Sequence, residues 1–199
     1  MARKIDHEER KNRIVSESLR LFGQLGYDAV NFGMIADACK ISRTLLYAYF
    51  KDKRAIFNEA IDEVTDKVRA RYEEASASLA SADQKLHRVC FTVFELLFDN
   101  RNFVCVIADV LSGYRRKGGS VPVERVIAHT SGLLRILQRL IAEGVQRGEY
   151  RPDVNPARAA NILYSQYEAA ALRIAITGNA ELAVCIDEMD AILHALRAR

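Results

Sequence analysis

The segment from Gly33 to Phe57 constrains the fold of this chain more than any other. It reads GMIADACKISRTLLYAYFKDKRAIF, which is typical of two short helices, a tight turn and the start of a long third helix. Lys40 and Ile41 form the turn, and Ser42 is a good N-cap for the second short helix, residues 43–49. This arrangement has helix-turn-helix geometry, in which the second helix can enter a DNA major groove.

This second helix has a side that faces the core and a side that faces outward. We expect Leu46 and Phe50 to be buried at helical spacing. On the outer side, Arg43 is long enough to bind a guanine edge through two hydrogen bonds, or else to bind a phosphate. Thr44 and Leu45 are suited to contact a thymine methyl group or the sugar edge.

Several residues around this segment agree with one family in fixed register. They are Gly26-Tyr27-Asp28-Ala29, Ile35-Ala36, Ile41-Ser42, Leu46-Tyr47-Ala48-Tyr49-Phe50 and Lys53. The pattern covers roughly residues 10–57 and resembles the N-terminal domain of the tetracycline-repressor (TetR-like) family. Many positions agree together, so the resemblance is more specific than a lone helix-turn-helix motif.

Two residues depart from the pattern of this family. Gly33 stands where many relatives carry a polar or charged residue, so we expect the preceding short helix to read few bases. Lys40 replaces the glycine that is usual in the turn. If its φ is positive, the lysine costs roughly 1 kcal/mol of backbone strain but adds a positive charge near the DNA.

The resemblance implies a set of DNA contacts. Tyr47 and Tyr49 would contact phosphates, with core packing as the alternative for Tyr47. Asn31 would cap its helix, and Lys53 lies in a first helical turn, where backbone N–H groups favour a phosphate. The full predicted set is Asn31, Lys40, Ser42, Arg43, Thr44, Leu45, Tyr47, Ala48, Tyr49 and Lys53.

The distribution of charge along the chain supports a DNA-binding surface at this segment more than the total charge does. The net charge is only +3, but residues 40–54 carry five basic residues and one acidic residue, 5 − 1 = +4. A local basic patch is what phosphate binding requires, although many such runs are only solvated faces.

Composition and length indicate an all-α protein. The 199 residues are 50% hydrophobic, with three prolines and ten glycines, which leaves little material for hairpins. We predict about nine helices: a helix-turn-helix three-helix bundle in residues 1–57, and a larger helical domain in residues 58–199. The family resemblance implies that this larger domain binds an effector and forms the dimer. No membrane-length apolar run and no signal peptide is found, so we expect a cytoplasmic protein.

The sequence contains no recognisable catalytic or metal-binding pattern. The four cysteines (Cys39, Cys90, Cys105, Cys185) are scattered, without a C-x-x-C pair, and are predicted to be buried thiols. H-E-x-x-H, G-x-S-x-G and dinucleotide fingerprints are absent. We therefore predict that the chain is not an enzyme and uses no cofactor or metal.

The second domain is predicted to pair two chains and to bind an effector. Its last two helices are rich in alanine, which allows close helix packing, and the family resemblance favours a homodimer through them. The resemblance also implies a small-molecule pocket, for which the candidates are Phe91, Phe94, Glu95, Phe98, Phe103, Asp109, Asn161, Tyr164, Tyr167 and Glu168. Core packing is the alternative for the aromatic residues, and pairing with arginines is the alternative for the carboxylates.

These features together predict a homodimeric repressor that binds a palindromic DNA operator and is released by a small-molecule effector. An activator, an all-helical enzyme that uses the aromatic pocket, and a regulator whose second domain binds a protein or nothing are the alternatives.

Overall fold

The computed structural model describes residues 2–77, 81–117, 123–178 and 180–198. These described residues form nine α-helices and no strand, which confirms the predicted all-α fold. The helices are α1 (Ala2–Leu25), α2 (Phe32–Ala38), α3 (Arg43–Tyr49), α4 (Lys53–Ala77), α5 (Ala82–Asp99), α6 (Arg101–Lys117), α7 (Val123–Gln146), α8 (Pro156–Thr177) and α9 (Leu182–Leu196).

Polar side chains cap the first turns of two helices, α5 and α8. Ser81 and Gln84 form a reciprocal capping box at the start of α5, and Asn155 caps α8 with Pro156 as its first residue. Helix α1 begins at Ala2, before Asp6 and Glu9, which have the spacing of a capping box. Helix α4 continues through the small and polar residues that follow Glu74 as far as Ala77, and residues 78–80 lie outside the described part.

The chain divides into two compact units. The first comprises Met1–Glu63 and Asn102–Arg125, so it joins the helix-turn-helix segment to most of α6. Its core contains the fully buried Phe22, Leu46 and Phe57. The predicted domain boundary at residue 57 stays a prediction.

The second unit comprises Val64–Arg101 and Val126–Arg199. Its core cluster includes Leu86, Cys90 and Phe94 of α5, which are almost inaccessible to solvent. Helix α5 packs against α8 and α9, as expected for a helix that is apolar on nearly all sides.

Candidate nucleic-acid interface

Two side-chain caps and one unusual backbone conformation set the geometry of the helix-turn-helix. The Asn31 side chain accepts a hydrogen bond from the Met34 N–H at 3.1 Å, and Ser42 Oγ accepts one from the Leu45 N–H at 3.1 Å. Between them, Lys40 has φ +53°, in the left-handed region. The predicted strain of roughly 1 kcal/mol at this lysine therefore applies.

Helix α3 has one buried side and one open side. Leu46 is fully buried and Phe50 is 5% exposed, as predicted. Arg43, Thr44 and Ala48 are exposed. Within the described residues, the Arg43 guanidinium makes no hydrogen bond or ion pair, so all its donors are available to a ligand.

Aromatic neighbours support the two tyrosines of α3. Tyr47 is 58% exposed, and its ring lies 4.8 Å from the Phe32 ring, measured between centroids. Tyr49 is half-buried, with its centroid 4.5 Å from that of His7. Phe32 and His7 were not among the predicted site residues. The sequence carries no signal for either contact, because both join different helices.

The Lys53 side chain is hydrogen-bonded within the protein. Its ammonium group donates hydrogen bonds to the carbonyl oxygens of Tyr27 (2.7 Å), Val30 (3.1 Å) and Asp28 (3.2 Å). Partial burial lowers the pKa of Lys53, and the Asp28 carboxylate opposes this shift. A lysine ammonium has three N–H donors, so these carbonyls satisfy all of them.

The basic residues between positions 40 and 54 differ in whether they pair with an acidic side chain. Lys40 and Lys51 are exposed and make no ion pair within the described part of the chain. Arg54 is also exposed but pairs with Glu124 at 2.9 Å. The free positive charge therefore lies mainly on Lys40, Arg43 and Lys51, around the open side of α3.

The aromatic effector-pocket candidates of the second unit lie in its hydrophobic core or pack against it. The rings of Phe94 and Tyr167 are buried and meet edge to face, with 4.9 Å between centroids. The hydroxyl of Tyr167 donates to the Cys90 carbonyl at 3.3 Å, and that of Tyr164 hydrogen-bonds Thr130 at 2.9 Å. These contacts are those of a packed core.

Of the remaining pocket candidates, Phe91 and Phe98 pack against this core. Phe91 and Phe98 are half-buried, and the polar candidates Glu95, Asp109, Asn161 and Glu168 are all exposed. No buried charge therefore demands a partner among them. Phe103 and Asp109 belong to the first unit, where Asp109 accepts a hydrogen bond from the Tyr27 N–H at 3.3 Å.

An open groove of about 790 Å³ lies in the second unit and takes in only Phe91 and Glu95 of the predicted pocket. Its basic residues are Arg71, Lys85, Arg88 and Arg197. Three of them are paired, with Glu74 at 3.0 Å, Glu143 at 3.1 Å and Asp83 at 3.0 Å respectively. Arg88 is exposed and makes no ion pair within the described residues, so it is the basic group of the groove that is available to a ligand.

The described parts of the chain add two further findings. None of their helices combines the length and apolar character needed to cross a bilayer. No group of three or more His, Cys, Asp or Glu side chains among them is arranged to hold a metal ion.

Comparison with known families agrees with this architecture. The sequence model described as "Bacterial regulatory proteins, tetR family" matches residues 14–60, and that described as "Tetracyclin repressor-like, C-terminal domain" matches residues 103–185. The chain belongs to the TetR family. The predicted family, and the prediction of a DNA-binding transcriptional regulator that is not an enzyme, are thereby confirmed.

Relatives of this TetR-family chain are themselves regulators. The uncharacterized HTH-type transcriptional regulator YhgD of Bacillus subtilis is 21% identical over 162 residues, 81% of this chain and 82% of the relative. The fatty acid metabolism regulator protein of the same organism is 24% identical over 152 residues, 76% of each chain. The crystal structure of FadR from Bacillus subtilis in complex with stearoyl-CoA has a TM-score of 0.74 at 18% identity, covering 93% of this chain and 98% of FadR.

Proposed function

We propose that this TetR-family regulator is a homodimeric repressor of a palindromic operator, acts in the cytoplasm and is released from DNA by a small-molecule effector. One observation carries the DNA-reading part of the proposal. The open side of α3 presents an Arg43 guanidinium whose hydrogen-bond donors are all unused within the described residues. A side chain in that state is suited to read a guanine edge.

The proposed contacts divide into base reading and phosphate binding. Arg43 reads a base, while Thr44, Leu45 and Ala48 contact thymine methyl groups or sugars. Asn31, Lys40, Ser42, Tyr47 and Tyr49 bind phosphates and fix the position of α3 on the duplex. Lys53 would have to give up a carbonyl partner to reach a phosphate, so we assign its main role to holding the turn before α2.

Exposed apolar side chains support dimerisation through the last two helices. On α8, Leu172 is 58% exposed and Ile176 is 71% exposed, while Val184 of α9 is 44% exposed. Leu172 and Ile176 are four residues apart and therefore lie on one side of α8. An exposed apolar patch often marks a protein–protein interface. A two-fold dimer would place two α3 helices on half-sites about 34 Å apart, or a multiple of that spacing.

The groove beside Arg88 is the proposed effector site. It combines the aromatic side chain of Phe91 with a free guanidinium, which suits an amphipathic anion. The relatives named above include a fatty acid metabolism regulator and a protein bound to stearoyl-CoA. We therefore propose an acyl thioester or a similar organic anion as the effector class.

Release from DNA would result from a shift of populations. An effector that binds one arrangement of the dimer more tightly raises the population of that arrangement. If the two α3 helices then no longer match successive major grooves, operator affinity falls, at most by the ratio of the effector's affinities for the two arrangements. No direct contact between effector and DNA is needed.

The decisive experiment is selection of bound sequences from a random duplex DNA pool at fixed, near-physiological salt. We expect a palindromic motif with two equivalent half-sites. Arg43→Ala should then weaken the operator complex and relax the preference at one base of each half-site. Lys40→Ala should weaken operator and random DNA alike and lower the salt dependence. Recovery of no motif would refute the sequence-specific repressor.

The effector is tested on the operator so obtained. Stearoyl-CoA is titrated into the protein–operator complex, and we expect it to release the DNA. Arg88→Gln should raise the concentration needed without changing operator affinity in its absence. Arg135→Gln is the matched control, because this exposed arginine of the same unit makes no ion pair within the described residues and lies outside the groove. Release that is equally effective in both variants would exclude the groove as the site.

A further inference from the structure

Gly33 is buried although it lies on α2, beside the proposed DNA-reading helix. The side chain that covers it is Arg43. A Cβ atom at position 33 would overlap Nη2 of Arg43, and would lie 2.9 Å from its Cζ and 3.1 Å from its Nε. The three atoms nearest to that Cβ position all belong to Arg43, so its guanidinium occupies the space that a side chain at position 33 would need.

We propose that Gly33 is a specificity-determining residue of the DNA interface. It has no side chain with which to read a base. Its role is to let the Arg43 guanidinium rest against α2, and this fixes where the base-reading donors of α3 stand before DNA is bound. This inference rests on the proposed base-reading role of Arg43.

The backbone does not require glycine at this position. Gly33 lies inside α2, and its φ is not in the left-handed region, in contrast to Gly26 at +83°. Alanine is more favourable than glycine within a helix. The atoms that an alanine would meet are the end of a flexible side chain, which can move. A methyl group should therefore displace Arg43 without unfolding α2.

Arg43 has no polar partner in the described residues. It makes no hydrogen bond or ion pair there, so the surface beneath it is what limits its position. Base readout depends on this position, because two parallel hydrogen bonds to a guanine edge tolerate little displacement. A residue that only shapes the surface under Arg43 can thus change which base the protein prefers.

The experiment compares Gly33→Ala, Arg43→Ala and the double variant by selection from a random duplex pool. Binding is then measured on the wild-type operator and on operators changed at each base. We expect Gly33→Ala to lower the preference, by on the order of tenfold, at the same base position that Arg43→Ala affects. In the Arg43→Ala background the added alanine should have no further effect on preference.

Thermal unfolding provides the control for folding. Gly33→Ala should unfold at the wild-type temperature or above it, as should Gly132→Ala on α7, where a Cβ meets nothing within 4 Å. Gly132→Ala should leave the base preference unchanged.

Three results would overturn the inference: an unchanged preference in Gly33→Ala, an equal loss on all sequences, or an alanine effect that persists without Arg43. If the wild-type protein itself yields no motif, the proposed function fails instead, and the two failures are thereby distinguished.

Discussion

Lys53 and Tyr27 are joined twice in this structure. The Lys53 ammonium donates a hydrogen bond to the Tyr27 carbonyl oxygen at 2.7 Å, and it lies 4.6 Å from the centroid of the Tyr27 ring. The first residue of α4 thereby holds the segment between α1 and α2. Because that segment leads directly into Asn31, the cap of α2, Lys53 helps to position the helix-turn-helix itself.

We therefore expect Lys53→Met to destabilise the protein. The change removes three hydrogen bonds from a charged donor and leaves their carbonyl groups unpaired, at a cost of about 1–3 kcal/mol. Lys51→Met is the matched control, because Lys51 is exposed and makes no ion pair in the described part of the chain. The free energy of unfolding from urea titration measures both.

The alternative role of Lys53 predicts a different result. If Lys53 acts mainly on phosphate, Lys53→Met should leave the unfolding free energy unchanged. It should instead reduce the magnitude of the slope of log affinity against log salt concentration by about 1, because one phosphate contact is lost. Measuring both quantities on the same variant separates the two roles.

The contacts of Lys53 show which features of the structure could be predicted from the sequence and which could not. Local features were predictable: the caps at Asn31 and Ser42 depend on residues three positions apart. The bonds from Lys53 to Tyr27 and the contact of Arg43 with Gly33 join residues far apart in sequence or on different helices. Periodicity and capping rules describe single helices and do not determine such contacts.

The same limit applies to the effector site. The aromatic side chains of Phe94 and Tyr167 were candidates for a pocket, but their spacing along a helix is equally that of a packed core, which is where they lie. Arg71 and Arg197 line the groove from distant parts of the chain. Only the tertiary structure brings them together.

Two glycines of α7 allow a paired test of core packing. A Cβ at Gly144 would overlap the ring of the buried Tyr150, whereas a Cβ at Gly132 meets nothing within 4 Å. Gly132→Ala should stabilise the protein by roughly 0.5–1 kcal/mol through helix propensity. Gly144→Ala should destabilise it, because overpacking costs about 1–3 kcal/mol.

Chemical denaturation of both variants in parallel checks this prediction. The Tyr150 hydroxyl donates a hydrogen bond to Asp83 at 3.3 Å. Because this bond restrains the ring, the ring cannot move freely away from a methyl group at position 144. Equal stabilisation by both alanines would mean that Tyr150 moves without cost.

The proposed dimer interface can be tested by the molecular mass of interface variants in solution. Leu172→Glu and Ile176→Glu place charges on exposed apolar positions of α8, and burying an unpaired carboxylate in an interface is costly. We expect both variants to be monomeric at concentrations where the wild type is a dimer, by light scattering coupled to size exclusion. Gln138→Glu, at an exposed position of α7, is the control for added charge.

Loss of the dimer should also abolish selection of a palindrome, since one α3 helix reads only a single half-site. A wild-type protein that is monomeric at all concentrations would contradict the interface. So would glutamate variants that stay dimeric.

Buried tyrosines should make the protein unstable at high pH. Burial, with a smaller contribution from the Asp52 carboxylate, raises the pKa of Tyr27 to about 12. Burial also raises the pKa values of Tyr150 and Tyr167, with further contributions from Asp83 to the first and Cys90 to the second. In the unfolded chain, tyrosine ionises near pH 10.

These pKa values determine the sign of the effect. Below about pH 10, tyrosine is neutral in both states and the full stability is present. Above that pH, the unfolded chain releases protons that the folded protein retains, so the free energy of unfolding falls as the pH rises toward 12 and beyond. Urea midpoints measured between pH 8 and 12, with absorbance at 295 nm to follow tyrosinate, test this. Unchanged midpoints up to pH 12, or buried tyrosines that ionise near pH 10 in the folded protein, would contradict the prediction.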